Sequence, residues 1–69
     1  MQQSWQKCLE QLESELSVQK FTPWIKPLEF ISYDESESTL RLGLRNALKL
    51  NVVREMFLST IEQVARQHF

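Results

Sequence analysis

The groups in this chain that could carry a reaction are one thiol, one imidazole, one phenol and scattered carboxylates: Cys8, His68, Tyr33 and nine Asp and Glu residues. Thiol chemistry needs a base held close enough to draw the proton from sulfur. Cys8 and His68 lie at opposite ends of the sequence, and Cys8 falls on the apolar stripe of a predicted helix, where a free cysteine behaves as a small buried hydrophobe. His68, near a predicted helix C-terminus, suits the negative end of the helix dipole and is expected to be solvated. One cysteine and one histidine cannot complete a structural zinc site or an internal disulfide. Gly43 is the only glycine, so no phosphate-cradling loop or dinucleotide fingerprint exists. These residues predict a chain that is not an enzyme and uses no cofactor.

Binding chemistry is left. The chain has 69 residues, 42% hydrophobic and 25% charged, with net charge −1, which suits one small folded domain. Residues 1–37 hold three lysines against seven carboxylates, net −4, whereas residues 38–69 hold Arg41, Arg45, Lys49, Arg54 and Arg66 against Glu55 and Glu62, net +3. That asymmetry suits ordinary solvated surface, or a weakly anion-facing side. Possible nucleic-acid contacts are Lys26, Arg45, Lys49 and Arg54, which would act weakly and with strong salt dependence. A protein-interaction role has its own support. A domain this small usually supplies only about 3–5 kcal/mol from one core, and no disulfide or metal adds to it. Trp5, in the first turn of a predicted helix, is then either the rim of the core or an exposed anchor. As an anchor, Trp5→Ala would shift association toward monomer and spare the fold; as core, it would unfold the chain. No apolar run approaches the roughly 18 residues a membrane span needs, no signal peptide opens the chain, and the lone cysteine suits a reducing, cytoplasmic setting.

The elements that position these groups follow from periodicity. Ser4 predicts an N-cap, after which Trp5, Cys8, Leu9, Leu12 and Leu16 form one helical stripe ending in the region 17–20, with Glu10, Glu13 and Glu15 off it. Thr22 and Pro23 predict the start of a one-turn helix that Pro27 closes, with Phe21, Trp24 and Ile25 available for burial. Residues 28–33 and 39–44 read as strands around a polar hairpin loop, 34–38. In the first strand Leu28 and Phe30 share one face and Ile31 and Tyr33 the other, which implies cover on both sides or a bulge. Asn46 predicts the cap of one long helix to about Gln67, with Leu50, Val53, Phe57, Ile61 and Val64 as its stripe and Leu48, Val52, Met56 and Thr60 widening the apolar face. Leu48, so near the start of that helix, poses the same question as Trp5. The order is helix, short helix, strand, strand, long helix: an α+β, KH-like domain whose hairpin packs against helices. The phosphate grip of KH modules needs a GXXG loop, which one glycine cannot make.

The run Trp5-x-x-Cys8-Leu9-x-x-Leu12-x-x-Glu15-Leu16, then Phe21-x-x-Trp24-Ile25-x-Pro27-Leu28, Thr39-Leu40-x-Leu42 and Asn46-x-x-x-Leu50-x-x-Val53-Arg54-x-x-Phe57-Leu58-x-x-Ile61 resembles the N-terminal domain (domain I) family of the bacterial chromosomal replication initiator, DnaA. The resemblance covers almost the whole chain. It implies a non-catalytic KH-like platform that self-associates, docks the replicative helicase or a regulatory protein, and touches single-stranded DNA weakly. By position it places self-association on Trp5, Cys8 and Leu9, and helicase or partner contact on Lys20, Asn46 and Leu48. Lys20 departs from the usual acidic residue, Leu48 from an aromatic and Arg45 from a proline. The resemblance also implies a longer chain, with ATP bound by a separate module, or a stand-alone modulator of the initiator.

Overall fold

The first helix starts earlier than its capping signal. A computed structural model describes residues 2–69, and in it α1 spans Gln2–Glu15, so Ser4 lies inside the first turn rather than at the cap. Glutamine is a good helix former, and two of them extend the helix upstream of Ser4. Trp5, Cys8 and Leu12 face inward as the stripe predicts. Extended Ser17 (φ −67°, ψ 156°) ends α1, and its carbonyl accepts the N–H of Phe21 at 2.8 Å, which starts α2, Val18–Lys20.

Here the prolines act differently from the prediction. α2 runs directly into a π-helical turn, Phe21–Ile25, with Thr22 and Pro23 inside it rather than at a helix start. Proline in an α-helix interior clashes with the carbonyl four residues back and donates nothing to it. A π turn widens the ladder by one residue, seen in the 2.9 Å bond from the Lys26 N–H to the Phe21 carbonyl. The turn aims Phe21 and Ile25 into the core and leaves Trp24 half-buried.

Strands β1, Glu29–Asp34, and β2, Thr39–Gly43, pair antiparallel as a two-stranded sheet. The register jumps between Phe30, opposite Leu42, and Ser32, opposite Arg41, so Ile31 is a bulge. That extra residue resolves the mixed face pattern of the strand. Phe30 and Tyr33, which strict alternation would separate, both reach Phe69, at ring-centroid distances of 6.3 and 4.6 Å. Ile31 is left 61% exposed. In the connecting turn the Asp34 carboxylate accepts from the Ser36 hydroxyl (2.7 Å) and the Ser36 and Glu37 N–H groups. These bonds, the Ser36 hydroxyl first, hold its pKa below the ordinary carboxylate value.

Asn46 caps α3, Ala47–Met56, its side-chain oxygen accepting the Lys49 N–H at 3.2 Å. The single long helix of the prediction is instead two. At Phe57 (φ −119°, ψ −5°) the path bends, and α4 runs Leu58–His68. The halves serve different neighbours: α4 packs along α1, whereas α3 packs on the π turn. The bend also undoes the second apolar line, because Leu48 and Met56 are 78% and 69% exposed. His68 is half-buried rather than solvated, its Nε2 2.8 Å from Gln11 Oε1 on α1. The core joins Trp5, Cys8 and Leu12 to Phe21, Ile25 and Leu28 and to Val53, Phe57, Ile61 and Val64, with the leucines of the hairpin at its margin. The product is a small α+β globule. No helix among the described residues is long and apolar enough to cross a membrane.

Candidate interaction surface

The residues expected to bind fall into three places. Trp5 and Cys8 are in the core, 4% and 0% exposed, and Leu9 is half-buried. This corrects the anchor reading of Trp5: its ring presents no surface, because α4 and the π turn, both packed on α1, enclose its side. What α1 shows to solvent is Glu10, Glu13 and Glu15. Cys8 has become a structural thiol. The fold brings His68 to Gln11, one helical turn from Cys8, but the sulfur has no solvent access and the imidazole is engaged by Gln11.

Burial raises the thiol pKa of Cys8 above its ordinary value of 9.0, against a smaller lowering by a backbone hydrogen bond. Because the folded pKa is raised, the stability held by the neutral thiol is complete below about 9 and declines as the pH climbs through the folded value. A disulfide reagent at pH 8 is therefore expected to label Cys8 roughly a hundredfold to several thousandfold more slowly in the folded chain than in urea, given about 3–5 kcal/mol of stability. Equal rates in the two conditions would show the sulfur to be accessible.

Helicase-position residues gather at a corner between the π turn and the start of α3. The Asn46 cap fixes the first turn of α3, and from it Lys49 reaches back across the fold. Its Nζ donates to the Pro23 carbonyl at 3.4 Å and sits 5.7 Å from the Trp24 ring centroid. Such a cation–π contact is worth about 0.5–1 kcal/mol at an exposed site and more when desolvated. Lys20 and Lys26 flank the π turn and are exposed. Arg45 precedes the cap with a 95% exposed side chain, 3.9 Å from Glu29. Leu48 projects from the same turn of α3. Beside it lies a recess of about 350 Å³ lined by Pro27, Glu29, Leu44, Arg45, Asn46 and Lys49.

The four cations expected to touch nucleic acid do not form one patch. Lys26, Arg45 and Lys49 surround this corner, whereas Arg54 opens onto a larger groove of about 960 Å³ between β2 and α3–α4, beside Arg41 and Arg66 and over Leu40, Val53 and Ile61. Sequence reasoning missed the Lys49–Trp24–Pro23 contact. It joins positions far apart in the chain, and no local spacing encodes it.

Comparison with known proteins follows the same lines. A family described as DnaA N-terminal domain matches residues 2–67. Proteins named chromosomal replication initiator protein DnaA align along nearly the full chain. The one from Bordetella petrii is 41% identical over 69 residues, all of this chain and 14% of its own length. That from Nitrosospira multiformis is 48% identical over 66 residues, 94% of this chain and 14% of its own. That from Ralstonia pickettii is 45% identical over 65 residues, 94% of this chain and 12% of its own. The chain thus spans only about one-seventh of the length of these relatives, and no solved structure matches it. With its α+β order, capped third helix and aromatic–proline corner matched from end to end, the chain belongs to the DnaA N-terminal domain family.

Proposed function

We propose that this chain is a non-catalytic interaction domain of a DNA replication initiator, which self-associates and recruits the replicative helicase or a regulatory protein. The observation that carries the docking role is Leu48. A leucine 78% exposed in the first turn of a capped helix contributes little to the core, and it stands beside Lys49, whose position the fold fixes twice. An apolar anchor on rigid backbone is what a hot spot requires. Self-association would use Leu9 and the exposed side of α1, with Trp5 and Cys8 shaping that face from beneath.

Biolayer interferometry of the immobilised chain against a bacterial replicative helicase tests the docking role. Leu48→Ser is expected to weaken binding about 30-fold, the loss of one hot spot of about 2 kcal/mol. The circular dichroism spectrum and Tm should not change, because Leu48 leaves the core untouched. Absence of binding by the unaltered chain, or equal binding by Leu48→Ser, would remove the docking role. Sedimentation equilibrium of Leu9→Ala, with a shift toward monomer and retained helicity, tests the self-association face.

A further inference from the structure

We propose that the corner between the π turn and α3 receives an acidic partner segment carrying a bulky apolar side chain. This rests on the docking role above and names the chemistry of the partner. Lys20 and Lys26 bracket the π turn, and Arg45 and Lys49 bracket the Asn46 cap that faces it. Against these four cations the recess holds one carboxylate, Glu29. Its 3.9 Å approach to Arg45 is between two exposed side chains, and such pairs are worth little. The corner therefore keeps a positive excess around an exposed leucine.

That combination selects among anions. A phosphate backbone would meet the cations but gain nothing from Leu48. A single strand also needs an open aromatic face on which its bases stack. Trp24, the aromatic at this corner, is half-buried with Lys49 over its ring. An acidic peptide uses both features, its carboxylates on Lys20, Lys26 and Arg45 and its apolar side chain on Leu48 beside Pro27 and Leu44. The cations would set encounter rate and partner choice, and Leu48 the lifetime of the complex.

Three probes titrated into the ¹⁵N-labelled full chain test this by amide shifts. They are a capped octapeptide with a central Phe-Leu pair flanked by Asp and Glu, the same peptide with Lys in place of its acids, and a thymidine decanucleotide. The acidic peptide is expected to shift the amides of residues 44–49 and to bind at least about tenfold more tightly than the lysine peptide. Leu48→Ser should cost about tenfold, and the Lys20→Glu, Arg45→Glu double variant should reverse the preference between the peptides. The proposal is overturned by equal affinity for both peptides, by shifts confined to other residues, or by tighter binding of the oligonucleotide at this corner. It is also overturned if dilution of the chain alone moves the same amides, because a second copy then fills the site. The docking role fails separately: it falls if the helicase does not bind, and it survives if the helicase binds but the double variant changes nothing.

Discussion

Replacing Trp5 by alanine is expected to leave the chain largely unfolded at 25 °C. The indole is 4% exposed and shares the core with Cys8, Leu12 and residues of every other helical segment that contributes to it. Truncating a buried Trp to Ala removes its transfer free energy and leaves a cavity, together about 3–5 kcal/mol. A single core in a domain of this size supplies only about 3–5 kcal/mol in all, so the loss matches the whole stability. Far-UV circular dichroism should show the helical signal collapse, and urea titration should show no native baseline. Trp5→Phe, which keeps most of the ring volume, should retain a cooperative transition with a lower midpoint. A folded, cooperative Trp5→Ala chain that had only lost self-association would restore Trp5 as a surface anchor. The consequence reaches the interaction role: failed association in a Trp5 variant reports unfolding first, and Leu9→Ala is the substitution that separates the two.

Phe57→Ala is expected to cost about as much, roughly 3–5 kcal/mol, but to fail in a different way. Phe57 is 6% exposed and stands where α3 gives way to α4. Its N–H still bonds to the Val53 carbonyl (2.8 Å), and its own carbonyl still accepts the Ile61 N–H (2.9 Å). The bend therefore depends on the buried ring as much as on the backbone. Alanine removes the ring and is the strongest helix former, so it favours one straight helix through the junction. A straight helix cannot lie on α1 with one half and on the π turn with the other. Helical far-UV signal should persist while the near-UV signal of Trp5 and Trp24 and the cooperative thermal transition are lost. Retention of a sharp transition with native near-UV bands would show that the backbone alone sets the bend.

Much of the fold could be read from local pattern. The α1 stripe, the two strands, the polar turn and the Asn46 cap each depend on residues within a few positions of one another, and the structure has them close to where periodicity places them. The errors share a cause. Ser4 and Thr22 both look like caps, but a cap contributes only about 1 kcal/mol, and Gln2–Gln3 in one case and the Ser17 carbonyl in the other start the helices earlier. A two-residue alternation cannot express the bulge at Ile31, because the extra residue is defined by the partner strand. An unbroken 3.6-residue period conceals the bend at Phe57, since its residues keep their spacing on both sides.

The candidate site divides in the same manner. Residue type by itself determined that this chain lacks convergent catalytic groups, that its cations cluster in the second half and that Asn46 opens a helix. Family resemblance, also read from residue order, marked Lys20 and Leu48. Which apolar residues are core and which are surface was decided only by the tertiary structure. Trp5 and Leu48 both sit in the first turn of a helix on an apolar line, yet one is 4% and the other 78% exposed. The physical reason is that burial belongs to a pair of surfaces. α1 lies under α4 and the π turn along its whole apolar side, whereas the bend at Phe57 gives α3 its own direction and leaves Leu48 facing outward beside Lys49.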